Sequence, residues 1–242
     1  AIHQHKRIVT ALTWTYPSSP STNCACEIAL LGKRTYSEVF SMMRNFTKTR
    51  SLSTIDQIWL VEHDHVFTRG KTSKDSDVLH TLPYPMIDTD RGGQITYHGP
   101  GQLVCYYLID LKRLDHINLR MLIQDIENTI ITILSRYTIH AKADLSARGV
   151  YVDDSKIASI GLRSTSRGTY HGFALNVSTD IRPFTWINPC GKPQKMVNIH
   201  MLSSISVDDI IVRCLQAIKD SALLDSRPCR ILSDTSYLNE YA

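Results

Sequence analysis

Two side chains in this sequence have the chemistry to act as a nucleophile and its base. Cys190 stands in Phe184-Thr-Trp-Ile-Asn-Pro-Cys-Gly191, on backbone that follows neither a helical nor a strand period. Between a proline and a glycine, a thiol can be exposed and fixed in direction at once; the alternative is a loop cysteine that only fills space. Lys156 opens the run Lys156-Ile-Ala-Ser-Ile-Gly-Leu162. Period two places Lys156, Ala158 and Ile160 on one strand face and Ile157, Ser159 and Gly161 on the other. Such a lysine is either solvated at the strand mouth or partly desolvated for a purpose. Together the pair makes chemical sense. A free thiol with a pKa of about 8.5 is only about 3% thiolate at pH 7. An ammonium about 4 Å away, at an effective dielectric near 20, contributes about 4 kcal/mol, or up to about three pKa units before desolvation takes some back. Thiolate then becomes the major form, and the lysine, once neutral, can take a proton from an incoming amine. The two groups would titrate as one coupled pair.

A second candidate is the loop Arg91-Gly-Gly-Gln-Ile-Thr-Tyr-His-Gly-Pro-Gly-Gln102. Its glycines let backbone N–H groups come close to a ligand, and Arg91 and His98 supply a fixed cation and a titratable imidazole. A hairpin loop that merely turns the chain has the same composition. His63-x-His65 puts both rings on one face of an extended chain, and Cys24-x-Cys26 resembles half a metal site, but neither has a third ligand at a telling spacing.

The elements that must position these residues are read from hydrophobic period. Strands are expected at residues 8–14, 58–61, 86–88 and 103–109. An amphipathic helix is expected over 27–46, from Ile28, Leu31, Tyr36, Val39, Phe40, Met43 and Phe46. A second helix follows Asn118 as N-cap, and a last one opens at Ser206 with Asp209 three residues on. Between them, residues 149–152 and 156–162 flank Asp153-Asp-Ser155 as a hairpin, and 169–177 extends the meander. Antiparallel runs with helices set between them predict an α+β fold, and the absence of any linker predicts one domain over 1–242.

Bulk properties exclude several classes. The chain has 242 residues, 43% hydrophobic and 21% charged, with a net charge of +4. That is too weakly basic for a nucleic-acid footprint and too interrupted by polar residues for a membrane span. Six dispersed cysteines without a Cys-x-x-Cys read as reduced thiols in an intracellular protein.

Five blocks then occur in order: residues 91–102, Gly149-Val-Tyr-Val152, Lys156-Ile-Ala-Ser-Ile-Gly-Leu-Arg163, His171-Gly-Phe-Ala-Leu-Asn176 and Ile187-Asn-Pro-Cys-Gly191. With Glu62-His63 and Val66-Phe-Thr-x-Gly70, they resemble the signature of the octanoyl-[acyl-carrier-protein]:protein N-octanoyltransferases, the lipoate biosynthesis protein B family. The resemblance implies the biotin and lipoate protein ligase fold, a mixed sheet flanked by helices. It implies transfer of an octanoyl group from acyl carrier protein to a lysine on lipoyl domains of 2-oxoacid dehydrogenase E2 subunits and glycine-cleavage H protein. Cys190 would be the acyl-accepting nucleophile and Lys156 its activator. Arg91, Gly92, Gly93, Gln94, Ile95, Thr96, Tyr97 and His98, with Ser159, Ile160, Gly161, Gly172, Phe173 and Ala174, would line the acyl site, the chain lying beside Ile160 and Phe173. A cytoplasmic monomer without cofactor, metal, nucleic acid or membrane partner is expected. The alternative is an ATP-dependent lipoate or biotin protein ligase of the same fold, which has no use for a nucleophilic thiol.

Overall fold

The computed structural model describes residues 25–115, 117–144, 147–189, 191, 193–203, 207–224, 227–232 and 241. The strand expected at 8–14, Cys24, Cys190 and Ser206 lie outside them. An eight-stranded mixed sheet runs through the centre in the order β11-β1-β2-β6-β10-β9-β8-β7. Its strands are β1 (Cys26–Arg34), β2 (Asp56–His63), β6 (Gln102–Leu108), β7 (Lys142–Ala143), β8 (Gly149–Val152), β9 (Ser155–Thr165), β10 (Gly168–Asn176) and β11 (Cys229–Leu232). A small sheet of β3 (Val66–Arg69), β4 (Met86–Asp88) and β5 (Thr96–His98) stands beside it. Among the described residues no helix is long and apolar enough to cross a membrane.

Helix α1 (Tyr36–Thr49) covers one face of the main sheet, burying Val39, Met42, Met43 and Phe46 against Trp59, Val61, Val104 and Ala174. Thr35 starts it by accepting a hydrogen bond from the Glu38 N–H. The opposite face carries α2 (Leu119–Ser135) and α3 (Val207–Lys219), whose Leu122, Ile126, Ile130, Cys214, Leu215 and Ile218 pack on Ile58, Cys105 and Phe173. Asn118 caps α2 through the Met121 N–H, as its sequence predicts.

One expectation fails. Residues 27–34 are strand, not the first turns of a helix, and α1 begins only at Tyr36. β1 is a parallel strand between β11 and β2, and both its faces are buried, Ile28 in the core under α2 and α3 and Ala29 and Leu31 in the core under α1. Such a strand lacks the alternation that marks a half-buried one, and Ile28 and Leu31 fell on helical spacing by coincidence. Cys26 accordingly sits in a buried strand, directly opposite Cys229. Cys26, Cys105, Cys214 and Cys229 are free thiols. β11 was not anticipated at all.

Candidate active site

The 149–162 hairpin forms as expected, but its register slips between Val150 and Tyr151. Val150 faces Ala158 and Tyr151 faces Lys156, which leaves Ile157 unmatched. This bulge breaks the strict alternation on which Lys156, Ala158 and Ile160 share a face. Lys156 is 4% exposed and not solvated at a strand mouth. Its side chain lies over Gly149, where an added Cβ would stand 2.4 Å from Cε and 3.1 Å from Nζ. Nζ donates to the Ala147 carbonyl at 3.3 Å and stands 5.4 Å from the centroid of the Tyr151 ring. The Tyr151 hydroxyl donates to that same carbonyl at 2.5 Å. Residues 195–197 strap the lysine's backbone, Lys156 N–H bonding Lys195 O and Val197 N–H bonding Lys156 O.

Lys156 borders a cavity of about 850 Å³ between the sheet, the 91–98 segment and the start of α2. Residues 91–96, His98, 159–161 and 172–174 line it, so the geometry gathers nearly all of the expected site. Tyr97 does not. Within β5 it points opposite to Thr96 and His98, into a separate small core with Phe67 and Phe184, where its hydroxyl bonds His65 Nδ1 at 2.6 Å. Phe173 packs its ring toward Tyr107 on the α2 side, with centroids 6.3 Å apart. Pro189 also lines the cavity, and Gly191 lies so close to Gln94 that a Cβ would come within 2.7 Å of its Nε2. Pro189, the residue before Cys190, therefore lines the same space as Lys156, and Gly191 lies against Gln94 of its wall.

The glycine loop is held by its own arginine. Arg91 is buried, and its guanidinium donates to Thr68 O at 2.8 Å, Thr68 Oγ1 at 2.9 Å and Gly92 O at 3.1 Å, all neutral oxygens. Gly92 N–H bonds Leu162 O at 3.1 Å, which ties the loop across β9. Asp90 anchors it to β10, accepting from the Tyr170 hydroxyl and from His171 Nε2 at 3.0 Å. Burial opposes ionisation of Asp90, but those two hydrogen bonds outweigh it and hold its carboxyl down at about 2. His171 takes a φ of 62° in mid-strand, a conformation costly for any residue with a Cβ.

Burial also keeps the imidazoles neutral. His98 is lowered to about 3 and His63 to about 4. Gln102 Nε2 donates to Asn176 Oδ1, so Gln102 Oε1 accepts from His98 Nδ1 at 2.7 Å and Nε2 of His98 carries the lone pair. His63 Nδ1 likewise donates to Arg34 O, and its Nε2 accepts from the Tyr106 hydroxyl. Among the described residues no cluster of three His, Cys, Asp or Glu could hold a metal ion. These two values make an acid-stability prediction. Both folded pKa values lie below the 6.5 of an ordinary imidazole, so the unfolded chain binds more protons between there and about 3. Stability is complete above pH 6.5 and falls as pH drops through that window. Thermal unfolding at pH 7.5 and 4.5 checks this, with His98→Gln expected to flatten the dependence.

Sequence reasoning passed over Tyr36, Val104, Tyr106, Leu119, Ile123, Ala147 and Arg148, all of which also line the cavity. Val104, Leu119, Ile123 and Ala147 are apolar residues that carry no chemical signal in a sequence.

Comparison with known proteins points one way. Residues 35–219 match the family described as the lipoyl protein ligase A/B catalytic domain. An octanoyltransferase of Shewanella sediminis is 49% identical over 164 residues, 68% of this chain and 74% of its own. One from Chromobacterium violaceum is 50% identical over 161 residues, 66% of this chain and 77% of its own. In fold, the chain is similar to a putative lipoate protein ligase from T. acidophilum with bound lipoic acid, at a TM-score of 0.71 and 12% identity, covering 89% of this chain and 92% of that one.

Proposed function

The chain belongs to the octanoyltransferases of the lipoyl protein ligase A/B catalytic-domain family, and on that premise we propose that it moves an octanoyl group from a carrier-protein thioester to a lysine of a lipoyl domain. The observation that carries the reading is a buried lysine amine at the wall of a cavity that Pro189, the residue before Cys190, also lines, with Gly191 packed against its Gln94. The Cys190 thiolate attacks the thioester carbonyl, the carrier's thiol leaves with a proton from Lys156, and the octanoyl group remains on sulfur. The acceptor's lysine, deprotonated by neutral Lys156, then attacks the enzyme thioester, forms the amide and releases the thiolate. The neutral-bonded Arg91 guanidinium supplies positive potential beside the cavity as charge develops on the carbonyl oxygen. His98, neutral at physiological pH, shapes the wall and does not serve as base. Carrier protein is the donor; lipoyl domains of 2-oxoacid dehydrogenase E2 subunits and glycine-cleavage H protein are the acceptors, in the cytoplasm.

Intact-mass spectrometry after mixing with octanoyl carrier protein tests the reading. A mass increase of one octanoyl group is expected, absent in Cys190→Ser and discharged by apo lipoyl domain. No adduct with the wild-type protein would overturn it. The ligase alternative draws on the shared fold alone, and it predicts product from octanoate, ATP and apo lipoyl domain without carrier protein.

Gly149 gives a sharper test of the lysine's placement. At φ 147° a Cβ there would also meet the Ala158 carbonyl at 2.5 Å, so Gly149→Ala must displace Lys156 or the strand. Transfer is expected to fall about ten- to a hundred-fold, since small misplacements of a catalytic group cost that much. Steady-state transfer measured beside the melting temperature separates the two.

A further inference from the structure

On the α1 face of the sheet, strand register aligns two rows of residues. Ser159 on β9 pairs with Ala174 on β10, Ala174 with Val104 on β6, and Val104 with Val61 on β2. Beside that row runs Gly161, Gly172, Tyr106 and Trp59. Size rises along both, from a hydroxymethyl or hydrogen on β9, through a methyl or hydrogen on β10, to an isopropyl or phenol on β6. The cavity is lined by the first three members of each row, while Val61 and Trp59 lie beyond it in the α1-side core. Gly149, the β8 partner of Ser159, stands at the head of the first row with the Lys156 side chain above it.

We infer that this row gauges acyl-chain length, with the thioester carbonyl held at the Lys156 end and Val104 stopping the terminal methyl. The inference rests on the transfer reading above. From β9 to β6 is two inter-strand spacings, about 10 Å. An extended octanoyl chain, seven zigzag C–C bonds of about 1.5 Å each, spans about 9 Å. The chain therefore crosses Ala174 and not the Phe173 ring, which lies on the opposite face. The other side of the cavity has the character of a mouth: Leu119 and Ile123 are half-exposed and Arg148 is exposed, leaving room for the donor's arm.

The test is relative kcat/KM for carrier thioesters from hexanoyl to dodecanoyl. Val104→Ala should raise the decanoyl-to-octanoyl ratio about ten-fold or more, and Ala174→Val should raise the hexanoyl-to-octanoyl ratio similarly, as expected for a methylene or two at a pocket's end. Opposite shifts from two substitutions in one row are not produced by general loss of folding. Calorimetric binding of the free hexanoate, octanoate and decanoate to the same variants should show the same reversal, whether or not Cys190 is acylated. Unchanged ratios in both measurements would overturn the gauge, as would a shift caused by Ile123→Ala and not by Val104→Ala. Absence of transfer by the wild-type protein, with the binding reversal intact, would instead count against the transfer reading alone.

Discussion

Lys156→Met should lower octanoyl transfer about a thousand-fold while leaving the fold in place. Two losses combine. Without the neighbouring cation, a thiol that titrates near 8.5 is about 3% ionised at pH 7, a deficit of roughly thirty-fold in attacking species. Removal of the general base for the acceptor amine accounts for the remainder. Methionine keeps the length and apolar stem that Gly149 and the Tyr151 ring accommodate, so packing changes little. The residual rate should climb with pH toward 8.5 as the isolated thiol ionises. Lys156→Arg separates the two roles, since arginine keeps the charge but does not give up a proton. It should accumulate the octanoyl adduct by mass spectrometry and fail to pass it on. Transfer by Lys156→Met within about three-fold of wild type would remove the lysine from the chemistry.

The largest expected effect on stability lies far from the cavity. Asp56, fully buried at the start of β2, accepts from Arg50 Nη2 at 2.5 Å and the Asp110 N–H at 2.9 Å through Oδ1, and from Arg227 Nη2 at 2.9 Å through Oδ2. The Arg50 side chain is only 3% exposed. Asp56→Ala would leave two guanidinium groups without their carboxylate, and breaking a buried ion pair from one side costs about 3–5 kcal/mol. Urea unfolding should show the midpoint falling by that equivalent. Asp56→Asn, which keeps an acceptor but not the charge, should lose less. A change under about 1 kcal/mol would mean solvent reaches Arg50 after all.

What the sequence discloses follows from how local its cause is. Helix α2 was legible because cap and apolar stripe lie within its own residues, and the 149–162 hairpin because its turn is local. The glycine loop and Lys156 were legible as chemistry, since charge and glycine stand out against apolar surroundings. β1 was not, because the face opposite α1 is buried in a core built with α2 and α3, which are distant in the chain. Nor was the alignment of Ser159, Ala174 and Val104, which exists only once three strands take their register. Tyr97 was misassigned because a motif names consecutive residues while a strand sends alternate ones in opposite directions.

The pairing of β1 with β11 has a consequence for biosynthesis. The Glu27–Arg230 ion pair joins positions 203 apart, so β1 waits for that length of chain to be made before the edge that β11 covers is satisfied. Throughout translation that apolar edge is open to pairing with other chains. Chaperone demand in the cell should therefore depend on β11, and variants that weaken it should aggregate during expression well before they lose activity in the purified protein.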